Sequence, residues 1–473
     1  MEPIKQLSQV STYKPRTGLM LTLYDLFRGG ASRGEAESCF NGIGKTTEHF
    51  REVYGQLKRK LLGGVLFYSF NDYSKYIQLE FKALNDFTIA IKLIRTENKL
   101  VAIPESEKVF EKLVYLGLTE FALAIAIELE HHYAVVEANK KKYDKYKEWV
   151  RQLRFAYFKE IEIIQFYNEV AYCITRQKEL PNVPEELKTI AGQEQIKSYR
   201  FNLFYYSTAN LWHRVHSDHV KIIYTCKQAL AFFTNYENPL PYTTTWNFQR
   251  QMIPIHIAMG ENSLAEVMAS KCLKVARKGS FNWHISLIYK ALVGFHSNKP
   301  KIAFQAWKTA HSVPMKFKQT PVIKQRWLLI QSYLELYAKL GRLHMPQSFR
   351  LYKFLNSVPT LNADKGKNNV AVIVCHLLHL WIDHKKEAFG DKAKQLRAYT
   401  NRHLNRSDYD RPRWFLLMLE KFYDANFHPV RYQPRIKYLW KKINNSKSYV
   451  TAQVFETEVI PFELAWQFLT EKH

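Results

Sequence analysis

"ISLIYKALVGFHSNKPKIAFQAWKTAHSVP", Ile285 to Pro314, decides the fold. Its apolar residues recur at helical spacing in two blocks, separated by the polar turn "HSNKPK". The first block presents Leu287, Ala291 and Leu292 on one helix. The second presents Ala303, Trp307 and Ala310 and stops at Pro314. Neither helix can bury its apolar face alone, so the pair must stack on its neighbours.

Outward from this unit the pattern returns in weaker form. "SLAEVMASKCLKVA" puts Ala265, Ala269 and Cys272 in the places of a second helix. "LGLTEFALAIAIEL" offers Ala122, Ala126 and Leu129 after a Leu116-Gly117 turn, and "YLELYAKLGRL" ends a further first helix at Leu340-Gly341. These units resemble tetratricopeptide repeats, where small residues let the second helix approach its partner, an aromatic fills the gap and a proline ends the unit. The resemblance is specific for about two units and covers residues 100–345 in looser form. The Ala265 to Ala303 spacing is longer than the roughly 34-residue period of that family. The expected fold is therefore all-α: an irregular, right-handed, tetratricopeptide-like α-solenoid of antiparallel helix pairs with a small N-terminal helical unit. Residues 1–68 form that unit, 69–360 the array, and 361–473 a basic C-terminal helical region whose final "VIPFELAWQFLTEKH" caps it.

Composition agrees with a helical chain. Its 473 residues are 47% hydrophobic and 24% charged, with only 17 Gly and 17 Pro, too few for a turn-rich all-β protein. The 15% aromatic content fits core and inter-repeat packing, with base stacking as the alternative. Cys39, Cys173, Cys226, Cys272 and Cys375 are odd in number and scattered, which points to buried thiols in a reducing cytoplasm. No apolar leader or spanning segment is read, so a soluble cytoplasmic protein without membrane contact is expected. The net charge of +26 suits an anionic partner: an acidic protein or peptide, or nucleic acid.

The N-terminal region reads as helix, Gly29-Gly30 turn, a short helix opened by the Ser32…Glu35 capping box, an "NGIG" turn, and a longer basic helix. On the last, Phe50, Val53, Tyr54, Leu57, Leu61 and Leu62 form an apolar stripe, while Lys45, Arg51, Lys58, Arg59 and Lys60 stand mostly elsewhere. This layout resembles a helix-turn-helix unit. In outline it is similar to the winged-helix modules that precede tetratricopeptide-like repeats in some bacterial transcriptional activators, which implies DNA contact by the third helix. It lacks a β-hairpin wing after Leu62 and an obvious set of base-reading side chains. The plainer alternative is that these helices cap the array.

Gly44-Lys45-Thr46 ends like a nucleotide-binding P-loop, but the position five before Gly44 is Cys39 rather than glycine, and no strand precedes it. Glu128 with His131 or His132 has metal-ligand spacing but no second matching motif. His376, His379 and Asp383 share one side of a helix among Leu377, Leu378, Leu380 and Trp381, which suits partly buried structural histidines. There is no GxSxG elbow and no glycine-rich strand-to-helix loop. The expectation is no enzyme activity, no cofactor and no metal. The densest basic run, residues 385–447, interleaves Arg397, Arg402, Arg406, Arg411 and Arg413 with Tyr399, Tyr409 and Trp414. Together with the basics of the third helix, these are the candidate contacts to an acidic partner or nucleic acid. The leading reading is an intracellular scaffold that binds protein through a basic groove; the alternative is a DNA- or RNA-binding regulator.

Overall fold

A computed structural model describes residues 18–65, 73–96, 99–176, 178–192, 196–313, 321–345, 370–404, 410–445 and 457–471. Every regular element among them is a helix, and the helices pack in neighbouring pairs. The chain divides into two compact units, Met1–Tyr146 and Lys147–His473. The boundaries expected near 68 and 360 fall outside the described residues.

The first unit opens with α1 (Leu19–Arg28), α2 (Arg33–Gly42) and α3 (Thr47–Val65), each packed on the other two. They enclose a core of their own built from Leu19, Leu23, Tyr24, Ala36, Phe40, Phe50, Val53 and Leu57. The capping box forms as the sequence implies: Ser32 N–H donates to Glu35 Oε2 at 2.6 Å, and Glu35 N–H to Ser32 Oγ at 3.3 Å. These bonds hold the Glu35 carboxyl below its usual range. Gly44 takes φ +73°, and Lys45 N–H reaches back to Phe40 O at 3.0 Å, closing α2 with a left-handed stop. Thr46 Oγ1 then accepts from His49 N–H at 3.2 Å and starts α3. The Gly-Lys-Thr sequence is thus a helix stop followed by a helix start. Leu62, placed by its sequence in the apolar stripe, is 61% exposed instead. It lies one residue off the Phe50–Leu57–Leu61 line, and the 3.6-residue turn rotates it outward. The unit continues through α4 (Lys75–Arg95), α5 (Lys99–Tyr115), α6 (Thr119–His131) and a π-helical turn, His132–Val136. Ala122, Ala126 and Leu129 of α6 are fully buried.

α7 (Lys140–Arg176) runs across the division, and the second unit continues with α8 (Val183–Ala191). Helical hairpins follow: α9 (Tyr199–Val215) with α10 (His219–Thr234), α11 (Tyr242–Ala258) with α12 (Asn262–Val275), and α13 (Phe281–His296) with α14 (Pro300–His311). Then come α15 (Pro321–Lys339), α16 (Val370–Ile382), α17 (Lys386–Ala393), α18 (Leu396–His403), α19 (Asp410–Asp424), α20 (Pro429–Asn445) and α21 (Phe462–Thr470). One turn construction recurs. Ser217, Gly260, Asn298, Gly341, His384 and Asn426 have positive φ, at steps of 43, 38, 43, 43 and 42 residues. After each, the next N–H bonds a carbonyl five residues back, as in Lys299 N–H to Gly294 O at 2.8 Å. These steps exceed the roughly 34-residue tetratricopeptide period throughout.

Small residues set the distance within each hairpin. Ala265, Ala269 and Cys272 of α12 and Ala303, Ala306 and Ala310 of α14 are buried against the preceding helix. A Cβ on Gly294 would stand 2.7 Å from Ala303 N, so this crossing requires glycine. The helices α11, α13 and α15 pack one on the next, and from Trp283 to Phe295 of α13 only Lys290 is not buried.

The described C-terminal stretch, residues 457–471, packs into the second unit. α21 packs on α16, Phe462 stacks on Phe415 at 4.4 Å, and Phe468 meets Tyr337 edge-on at 5.3 Å. Glu458 O accepts from His296 Nε2 at 3.0 Å, 162 residues earlier in the chain. Val459, Ile460, Phe462, Ala465, Phe468 and Leu469 are buried, so the helix has apolar neighbours around most of its girth.

Candidate anion-binding interface

All five candidate cations of the N-terminal unit, Lys45 in the turn before α3 and Arg51, Lys58, Arg59 and Lys60 on it, are exposed, and none makes an ion pair among the described residues. They do not form one stripe. Arg51 and Lys58, seven apart, share a face, Arg59 points away from the core beside Glu48 and Glu52, and Lys60 lies on the other flank. A cleft where α1 turns into α2 is lined by Asp25 and Glu35, the wrong charge for a phosphate.

The arginines of the second unit are separated by the fold. Arg397 is exposed but bonded to the Glu420 carboxylate at 2.9 Å. Arg402 is exposed, Arg413 is half-buried, and Arg406 lies outside the described residues. Arg411 needs a correction: only 4% of it is exposed. Its Nε and Nη2 grip Glu458 at 2.9 and 2.8 Å, Nη2 also reaches Glu463 at 2.8 Å, and Nη1 donates to Ile443 O at 2.5 Å. Burial alone would raise the Glu458 carboxyl, yet Arg411 and the Phe462 N–H hold it below its usual range. Arg411 therefore anchors the 457–471 segment and is closed to any partner.

A better candidate surface is α20, "PVRYQPRIKYLWKKINN", whose 17 residues hold five cations and no acid. Tyr432, Ile436, Leu439 and Ile443 form its buried face. Arg431, Arg435 and Lys442 stand at i, i+4 and i+11 along one row, and Lys437 and Lys441 along a second. Between the rows run Val430, 74% exposed, Pro434 and Tyr438, 66% exposed. None of these cations meets a carboxylate among the described residues. Arg435 donates to Asp424 O at 3.3 Å, and Lys442 sits 4.5 Å from the Tyr438 ring centre and 5.1 Å from that of Trp414 on α19. The signal available in the sequence was the density of cations without an acid: α10 and α14 also lack acids but carry two lysines each, against five cations on α20.

The histidine clusters are absorbed into structure. His379 is fully buried, with Nε2 3.1 Å from Ser332 Oγ, which is itself 2.8 Å from Cys375 Sγ. Lys339 Nζ lies 3.4 Å from His379 Nδ1 and donates to Asp383 Oδ1 at 2.6 Å. Burial pushes His379 down to about 4 and the Cys375 thiol up to about 12, so this Cys-Ser-His chain is neutral and ties α15 to α16. Burial likewise lowers His376 to about 4. Glu128 pairs with Arg95 at 2.9 Å, and His132 lies 3.5 Å from Glu137. Among the described residues no group of three or more His, Cys, Asp and Glu side chains is placed to hold a metal, and no helix is long and apolar enough to cross a membrane.

No family model, no curated protein sequence and no solved structure matches the chain.

Proposed function

We propose that this chain is a non-enzymatic helical-repeat scaffold, an irregular tetratricopeptide-like array, which binds an acidic protein partner on the outer face of α20. The supporting observation is the pattern on that helix: two rows of cations without carboxylate partners, with an apolar row of Val430, Pro434 and Tyr438 between them. An amphipathic partner helix with acidic flanks would bury the apolar row and pair the charges. A bare phosphate backbone would leave Val430 and Tyr438 unused. An inner groove is the weaker site, because 457–471 already fills the space beside α13, α15 and α16.

Nucleic-acid binding is the second reading, favoured by the separate core of α1–α3 and the exposed cations of α3. The two readings part in one experiment. The purified protein and an Arg431→Glu, Arg435→Glu, Lys442→Glu variant are titrated with random-sequence duplex DNA, RNA, and an acidic amphipathic helical peptide from 50 to 200 mM salt. The scaffold reading expects peptide binding that the variant loses, with weak nucleic-acid affinity. Tight duplex or RNA binding that survives these substitutions and is lost on charge reversal of Arg51 and Lys58 would establish the second reading instead.

A further inference from the structure

The middle of α7 is apolar but not buried. Its segment "WVRQLRFAYF", Trp149 to Phe158, holds seven apolar residues in ten, yet from Lys147 to Lys159 no residue is buried. Farther along, Ile163, Phe166 and Val170 share a core with Val183, Leu187 and Ile190 of α8, so one side of the helix is covered there. An exposed face runs from Glu148 to Tyr172 at alternating steps of three and four residues, through Arg151, Phe155, Phe158 and Glu162. Phe158 is 64% exposed and Phe155 40%. Scattered exposed apolar residues are ordinary, but two phenylalanines one turn apart on a helix form a patch.

Steps of three and four are the spacing by which one helix packs along another. Charge decides what the second helix is. The chain carries +26, and Lys140 to Lys147 alone hold five cations and one acid. From Glu148 to Tyr172 there are three cations and four acids, so this stretch is close to neutral and does not repel a copy of itself. Its charges are also ordered. Arg151 lies one turn before Phe155, and Glu162 one turn after Phe158. Such a face is self-complementary when two copies run antiparallel. Phe155 of each then meets Phe158 of the other, and Arg151 of each meets Glu162 of the other. A parallel pair would set Arg151 against Arg151 and Glu162 against Glu162. Within the helix, Arg151 pairs with Glu148 at 2.6 Å and Lys159 with Glu162 at 2.8 Å. Pairs of this exposed i, i+3 kind are worth little and do not compete with a cross-helix contact. The one unfavourable match, Asp144 with Glu169, falls at the end of the overlap, and Lys140 already holds Asp144 at 3.0 Å.

We propose that the exposed face of α7 joins two copies of this chain in a symmetric antiparallel dimer, with Phe155 and Phe158 of both at its centre. The dimer does not rest on the α20 surface, which each copy still presents.

The test is sedimentation equilibrium of the full chain from about 1 to 100 μM, the range over which a micromolar dimer dissociates. Wild type should be dimeric at the top of that range, and the α20 charge-reversal variant should match it. A Phe155→Glu, Phe158→Glu variant should be monomeric. Arg151→Glu alone and Glu162→Arg alone set like charges across the seam and should each weaken dimerisation at least tenfold. An equimolar mixture of these two single variants restores both cross-helix pairs and should dimerise again. All four substitutions change exposed side chains, and an unchanged helical circular dichroism spectrum with cooperative melting checks each fold. Wild type that stays monomeric at about 100 μM would overturn the proposal and leave the face to a different protein. A dimer that survives both phenylalanine substitutions would overturn it too, because another surface would then hold the copies. A mixture that stays monomeric would overturn the antiparallel order.

Discussion

Replacing Arg411 by methionine keeps most of the side chain's length and removes its charge. Glu458, 4% exposed, would then lose its guanidinium partner while the Phe462 N–H at 3.0 Å remains, and Ile443 O would lose the Arg411 donor. Breaking a buried ion pair from one side costs about 3–5 kcal/mol, chiefly because the surviving charge is left unpaired. At about 2 °C per kcal/mol for a large domain, the melting temperature should fall by about 6–10 °C. Tryptophan fluorescence can follow the transition, because Trp466 packs against Phe422 and Tyr432 on the helices that the anchor holds. A companion Arg411→Met, Glu458→Gln, Glu463→Gln variant removes the charges on both sides and should recover most of the loss. The pH dependence has a definite sign. The folded-state pKa of Glu458 is lowered, so its contribution is present above the unfolded value near 4.3 and lost as pH falls through the lower folded value. The gap between wild type and Arg411→Met should therefore narrow in acid. An Arg411→Met protein within about 0.5 kcal/mol of wild type at pH 7 would refute the reasoning, because that is the range of an unimportant surface change.

Two further outcomes are expected. Gly294→Ala forces a Cβ against Ala303 N, where backbone rather than a flexible side chain must give way, and should destabilise the second unit by about 1–3 kcal/mol in urea unfolding. Gly63→Ala, with open space around it, should not be destabilising and serves as the control. A thiol reagent at pH 8 should label exposed Cys39 quickly and Cys375 only after denaturation, because burial holds the Cys375 thiol up at about 12. Fast native labelling of Cys375 would show that α15 and α16 part readily.

Local patterns were legible in the sequence wherever their causes are local. Ser32 and Glu35 lie three apart and meet across a single turn, and Gly44 ends α2 because its own backbone needs a positive φ. Ala303 and Ala310, read from spacing, are buried on α14, but the third buried place is taken by Ala306, and Trp307, read in its stead, is half-buried. Arg411 was not legible in this way. It sits in a basic run like Arg402 and Arg413, and its role is decided by Glu458, 47 residues away, on a segment whose return through the second unit no periodicity encodes. Leu62 departs for a smaller reason of the same kind: the apolar run of α3 is wider than the face that three packed helices can cover.

The inward position of 457–471 also bears on the order of synthesis. In a string of hairpins each unit leans only on its neighbours, and folding can advance step by step as the chain emerges. Here α13 cannot complete its environment until Glu458 has been made, 162 residues after His296. At about 5–20 residues per second that delay is about 8–32 s, and the apolar surfaces of α15, α16 and α19 that face α21 stay bare from the time each is made until α21 follows. Cells making this protein would thus need to shield those surfaces through translation, and the finished unit should unfold as a single block rather than fray hairpin by hairpin.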